Sequence, residues 1–414
     1  MEPTSRLPRR WFGLLFCVVL ALTGAYGQKR EKMLRISYGD WVEQNESLNS
    51  KDAIERTFEK VRAAGYTHIL WRLLWEGHGY DHMVVHSAEL KAQHERLKAR
   101  LDGTPYAWDP HEIRWPIAVA HRLGMKFYAS IVPYNEGAPP ERTLPKPPLG
   151  LGKNWYQSKL VYDHPEYQAV DRSGKKVQYG ILEWAYPEAR RHWVEDVRQL
   201  VDRYDVDGIY MDTRTESPCP EFADQFGFNE PVVREYQRRY GVDILKEEFD
   251  LEKWRALRGE YFTQLLAEMS QVIRAKGKVF HLGTSRGDYL GYPLGNLKLD
   301  WRRWMREKIV DELHVDEHGW CWGSDAQPFG FMTDFPTGRG LKPIATAIRE
   351  DYGPLARQFG IRLYLSCNPY RPRPFSEPCC QHRAAPSVPP AAKNWCDGLR
   401  GMTEFAGTLE RQAF

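Results

Sequence analysis

Apolar residues along this chain switch between two spacings, and the switches come in a regular order. Short β-rich runs occur at "MLRISYG" (33–39), "THILWRLLW" (67–75), "MKFYASIVPY" (125–134), "VDGIYMD" (206–212), "KVFHLG" (278–283), "IVDELHV" (309–315) and "IRLYLSC" (361–367). Segments with helical spacing separate them. In "SKDAIERTFEKVRAAG" (50–65), Ala53, Ile54, Phe58, Val61 and Ala64 fall on one face and Gly65 supplies a stop. "DPHEIRWPIAVAHRLG" (109–124) predicts a helix with Asp109 at the N-cap and Pro110 in the first turn. Further helices are predicted over 186–204, 230–240, 251–276 and 341–360, and a short eighth strand over 401–405. Two Pro-rich stretches, 136–152 and 369–390, are too long and irregular for simple connectors.

Eight strands separated by helices predict an α/β fold, a (β/α)8 TIM barrel with long insertions in its βα loops. A doubly wound open sheet is the structural rival. No G-x-G-x-x-G or G-x-x-x-x-G-K-[ST] follows any strand, so the nucleotide-binding form of that rival has no support, and no cofactor is expected.

A barrel carries its chemistry at the carboxyl ends of its strands, and alternation along each strand sorts lumen from outer face. In "DGIYMD", Ile209 and Met211 belong under the helices, whereas Tyr210 and Asp212 face the lumen, with Asp212 at the mouth. In "VDELHVDEHGW", Leu313 and Val315 are the outer pair, His314 and Asp316 face inward, and Glu317 and Trp320 follow in the loop. The other strand ends contribute Arg72, Trp75 and Glu76; Tyr134, Asn135 and Glu136; His281; Asn368; and Glu404, with Arg214 just beyond Asp212. A ring of carboxylates, aromatics and donors suits cleavage of a glycosidic bond. That reaction needs one carboxyl to protonate the leaving oxygen and another to attack the sugar or activate water. Flat aromatic rims offer stacking faces for sugar rings. Asp212 with Asp316, or Glu317 in its place, is the expected catalytic pair. Trp75, Tyr134 and Trp320 are the expected stacking residues. Asp207, Asp311 and Glu312 read instead as structural residues at strand starts.

Composition narrows the partner. The 414 residues are 42% hydrophobic and 27% charged, with 15 Trp and 22 Tyr. The first 27 residues read as a secretory signal: Arg6, Arg9 and Arg10, the apolar run "WFGLLFCVVLAL", then small residues Ala25 and Gly27. Twelve apolar residues fall short of the ~20 needed to span a bilayer. Residues 28–414 are thus expected to form one exported catalytic domain, secreted or periplasmic, without a stable membrane anchor. Cleavage would remove three Arg and one Glu, leaving 55 basic against 54 acidic residues. That near-neutral balance gives no electrostatic case for nucleic acid or an anionic membrane. Six Cys would remain, four of them in the last fifty residues, and none at a zinc-type spacing.

At this point a resemblance to a known family emerges. "YPEARRHWVEDVRQLVDRYDVDGIYMD" resembles the central motif of the glycosyl hydrolase-like family 10 proteins. "LDWRRWMREKIVDELHV" and "YDHPEYQAVDRSGKK" are similar to two further segments of that family. The resemblance implies a secreted barrel acting on polysaccharide, with Asp212 matching the first acid of an Asp-Asp pair. Thr213 stands where that pattern has the second acid, and "RTESP" follows where the pattern is aromatic.

The leading expectation is therefore an exported glycoside hydrolase acting on a polysaccharide or oligosaccharide with two carboxylates. One alternative is a carbohydrate-binding barrel that has lost hydrolysis, supported by Thr213. The other is a metal-dependent hydrolase, disfavoured because strand one carries no His-x-His and no metal ligands are assigned. Asp212→Asn is expected to abolish turnover with little change in melting temperature.

Overall fold

The computed structural model describes residues 31–36, 51–73, 77–78, 83–85, 113–139, 156–213, 215, 220–222, 224–291, 294–295, 297–316, 344–367 and 400–404. Seven strands run parallel in the order β1 (Lys32–Ile36), β2 (His68–Arg72), β4 (Lys126–Ile131), β8 (Gly208–Asp212), β9 (Val279–Ser285), β10 (Glu312–Asp316) and β11 (Arg362–Cys367). Strand β12 (Arg400–Glu404) lies between β11 and β1 and completes the ring, but it is antiparallel to both. The alternating α/β architecture is present, whereas the eighth strand departs from the uniformly parallel repeat expected of a (β/α)8 barrel.

That reversal corrects one expected site residue. Thr403 pairs with Lys32, at the start of β1, while Gly401 pairs with Cys367, at the end of β11. The carboxyl end of β12, with Glu404, therefore points to the floor of the barrel and away from its mouth.

Helices cover the outside. They are α1 (Lys51–Ala63), α2 (Arg114–Arg122), α3 (Lys159–Asp163), α4 (Pro187–Arg203), α5 (Glu230–Tyr240), α6 (Leu251–Ala275) and α7 (Trp301–Arg306). Two short helices, α8 (Ile344–Ala347) and α9 (Gly353–Phe359), flank a π-helical turn at Ile348–Tyr352. The predicted helix start at Asp109 shifts inward: Ile113 occupies the N-cap and Arg114 begins the helix. Pro187 opens α4, where a missing N–H costs nothing. Asp250 caps α6 by accepting from the backbone N–H of Glu252 and Lys253. The chain adds two small antiparallel pairs that periodicity did not reveal: β3 (Met83–Val85), which follows β2, pairs with β5 (Tyr156–Ser158), and between β4 and α4 β6 (Gln168–Val170) pairs with β7 (Val177–Leu182).

Alternation sorts the core as expected. Leu34, Ile69, Trp71, Phe127, Ala129, Ile209, Met211, Leu313 and Val315 join the apolar layer between sheet and helices. Met33, Leu70, Tyr128, Tyr210 and Tyr364 form a separate cluster inside the ring. Below the mouth the lumen is polar as well as aromatic. Tyr128 donates to Glu312 (3.0 Å), Arg362 pairs with both Glu312 and Glu31, and Tyr364 donates to Glu31 (2.6 Å). Each buried charge in this floor has a counter-charge, as burial demands.

Candidate active site at the barrel mouth

Asp212 ends β8, and its neighbour in register on β9 is Gly283. It shares lumen parity with Gly208 and Tyr210, and its carboxylate is mostly buried. From β1, on the other side of β2 and β4, the Arg35 guanidinium reaches in and meets Asp212 Oδ2 at 2.5 Å, with side-chain exposures of 6% and 13%. Such a charge-assisted contact both orients the carboxylate and matches its negative charge. Sequence reasoning missed Arg35. Its signal was the same parity that found Asp212: in "KMLRI", Met33 and Arg35 alternate with the outward Leu34 and Ile36.

The pair changes what Asp212→Asn does to the fold. An amide would remove the anion that meets the largely buried guanidinium at 2.5 Å, so the variant is expected to lose some stability.

Directly below, Tyr210 is fully buried, with its hydroxyl 3.2 Å from His314 Nδ1. Gly283 is the residue that lets it fit, since a Cβ there would lie 2.3 Å from the Tyr210 hydroxyl. Arg72 closes β2, opposite Ser130, and is buried at lumen parity. Asp316 closes β10 opposite Ser285, two strands round from Asp212 and also at lumen parity. Strand spacing of about 4.8 Å and a rise of about 3.3 Å per residue put the two Cα atoms ~12 Å apart. Trp75, Glu76, Arg214, Glu317, Trp320 and Asn368 lie outside the described residues, as do the side chains of Asp316 and Glu404.

Four expected site residues on β9 and just after β4 are corrected. Tyr134 is 1% exposed and packs edge-on against Trp184 and beside Phe262, so it offers no face to a sugar. Asn135 and Glu136 are also buried, because β4 ends at Ile131 and the chain then turns back, with the Asn135 N–H donating to the Val132 carbonyl. His281 is fully buried two residues below the level of Asp212, with Nδ1 2.9 Å from Glu312 Oε2. It belongs to the barrel floor.

Thr213 is informative. It is 1% exposed, and both its N–H and its hydroxyl donate to the Gly283 carbonyl, at 3.1 and 2.8 Å. The position that matches a second acid in the resemblance is therefore turned into the strand wall here. A carboxylate at that point would confront a carbonyl out of reach of water.

A second polar centre lies outside the ring, between β4 and α4. His78 is held between Asp196 (Nδ1–Oδ2, 2.7 Å) and Glu136 (Nε2–Oε2, 2.9 Å), and Trp193 donates to the other Glu136 oxygen at 2.8 Å. The two carboxylates overcome the effect of burial and hold the His78 imidazole protonated up to about 10. Nearby, Glu183 and Arg258 form another buried pair at 2.8 Å, and burial raises the Glu183 carboxyl above its ordinary value despite the guanidinium.

Residues 144–324 match the family described as glycosyl hydrolase-like 10. The matched segment runs from before β5 through α4, β8 and β10, so it includes both Asp212 and Asp316. No curated protein matches the chain. Among solved structures, the β-amylase catalytic domain from Paenibacillus polymyxa is 12% identical, covering 77% of this chain and 82% of its own, with a TM-score of 0.46. An α-L-fucosidase from Paenibacillus thiaminolyticus is 15% identical over 81% of this chain and 45% of its own (TM-score 0.39). An exo-β-N-acetylglucosaminidase from Vibrio harveyi is 11% identical over 82% and 41% (TM-score 0.38). Scores this low say nothing about chemistry. Among the described residues, no helix is long and apolar enough to cross a membrane.

Proposed function

We propose that this chain is an exported glycoside hydrolase that cleaves a polysaccharide or oligosaccharide at the mouth of its barrel. The observation that carries the reading is the lumen-facing Asp212 locked to Arg35 at 2.5 Å. An acid-base pair needs one carboxyl that stays ionised and one that carries a proton. The guanidinium suits Asp212 to the ionised role, as nucleophile or as the base that activates water. Asp316 or its neighbour Glu317 then supplies the proton. Arg72 and Tyr210 act as positioning residues, Arg72 at the rim and Tyr210 underneath, with His314 holding the Tyr210 hydroxyl. Trp75 and Trp320 remain the proposed stacking residues. The match of residues 144–324 to a glycosyl hydrolase-like family supports the substrate class.

Thr213 favours a second reading, a barrel that binds glycans without cutting them. Its inward-wall hydrogen bonds leave only one carboxylate where the family resemblance implies two. Incubating the secreted chain with a panel of glycans separates the two. New reducing ends support hydrolysis. Saturable binding with no product after prolonged incubation supports the binding reading and overturns the first.

A further inference from the structure

The centre between β4 and α4 has a geometry that hydrolysis at the mouth does not use. Gly77 delivers His78 to it. With φ of +116° and a hypothetical Cβ only 2.5 Å from Ile131 Cγ2, Gly77 passes closer to β4 than any side chain would allow. His192 and Asp196 stand one turn apart on α4, so their side chains share a face. Two ring nitrogens converge on a single carboxylate oxygen: His78 Nδ1 lies 2.7 Å and His192 Nε2 3.4 Å from Asp196 Oδ2. One ligand atom from each of the three residues falls within 4.8 Å of the others. Tetrahedral zinc with bonds of about 2.1 Å holds its ligand atoms roughly 3.4 Å apart, so admitting the ion takes small side-chain shifts and release to solvent of the proton that His78 Nδ1 shares with Asp196.

The surroundings also suit a metal. A metal-bound histidine commonly gives its other ring N–H to a carboxylate, which fixes the tautomer and the ring plane. Glu136 occupies that position behind His78 at 2.9 Å and is itself held by the Trp193 indole. The Trp193 ring packs 4.2 Å from the His78 ring. His78 and Asp196 side chains are 1% exposed, whereas His192 is 24% exposed, leaving one side for an entering ion and a water ligand.

We propose that His78 Nδ1, His192 Nε2 and Asp196 Oδ2 bind one divalent cation of the zinc class, with Glu136 as the carboxylate that orients His78. Two imidazoles and one carboxylate select for zinc or a neighbouring transition metal over magnesium or calcium. The ion would clamp the segment after β2 to α4. It takes no part in chemistry at Asp212, and neither claim depends on the other.

The test is to strip the purified full-length chain with a chelator, refill it with Zn²⁺ and count bound metal by mass spectrometry alongside a thermal melt. One equivalent of zinc and a raised melting temperature are expected. His192→Ala, at the half-open edge and so tolerant of truncation, should bind at least about 100-fold more weakly. Glu136→Gln should lose about 10–100-fold. Replacing zinc with Co²⁺ should give visible bands without thiolate charge transfer, which separates this site from any cysteine-bound metal. A refilled wild-type chain holding no zinc, or His192→Ala binding zinc as tightly as wild type, would overturn the proposal.

Discussion

Consider the removal of Arg35 from the Asp212 pair. Both side chains are largely withdrawn from water, at 6% and 13% exposed. Breaking a fully buried ion pair by deleting one partner costs about 3–5 kcal/mol, because the other charge stays buried. Asp212 sits at the mouth and keeps some access to water, so Arg35→Met should cost less, about 2–3 kcal/mol. Asp212→Asn keeps an amide oxygen as acceptor but loses the charge, which is worth about 1.5–3 kcal/mol. If the pair acts as a unit, the double variant removes both charges together, and its cost falls short of the sum by about 1–3 kcal/mol. Urea denaturation of the four proteins at neutral pH measures this cycle, read from midpoints at constant m-value. Costs that add within about 0.5 kcal/mol would refute the idea that Arg35 is matched to Asp212. In turnover, Arg35→Met should lower kcat by a factor of about 100 with little change in KM, the signature of an interaction realised in the transition state.

Three further outcomes are expected. His68 is buried in the barrel floor, and burial lowers its imidazole to about 4. It stays neutral in the fold while the unfolded chain takes up a proton near pH 6.5. Stability attributable to it is therefore complete above about pH 6.5 and falls by ~3 kcal/mol as pH drops toward 4. Denaturation midpoints of His68→Gln between pH 7 and 4.5 should lack that part of the acid slope, and parallel slopes for the two proteins would contradict it. Arg258→Met strands Glu183 at 2% exposure, and calorimetry should register a loss of about 3–5 kcal/mol; a loss under 1 kcal/mol would mean Glu183 finds other compensation. Tyr134→Phe should leave KM for any substrate unchanged, since the ring is packed inside the shell. A several-fold rise in KM would restore Tyr134 to the binding surface.

Much of the site was legible because side-chain alternation is rigid. Once "VDGIYMD" is read as a strand, Asp212 and Tyr210 must share a face and Ile209 and Met211 the other, and they do. Strand direction is not written in that alternation. A five-residue run such as Arg400–Glu404 pairs equally well in either sense, so Glu404 was assigned to the wrong end of the barrel. Where a strand stops is equally hard to read. "MKFYASIVPY" is apolar to its last residue, but its ladder ends at Ile131, and the residues beyond fold back into the shell. Tyr134 and Glu136 thereby exchange a place at the rim for packing and ion pairing. Pairings between distant segments were the least visible. Nothing local to "KMLRI" announces that Arg35 spans the lumen to a residue 177 positions away. The His192–Asp196 spacing on α4 was readable, but only the folded chain adds His78, 118 positions before Asp196.

The most direct measurement is quantitative product release from the best glycan substrate by wild type and Asp212→Asn, with glycan affinity measured on both. The expected result is a fall in kcat by a factor of about 1,000 or more in the variant, with affinity retained within a few-fold. Turnover by Asp212→Asn within ten-fold of wild type would contradict the assignment of cleavage to the carboxylate that Arg35 holds at the mouth.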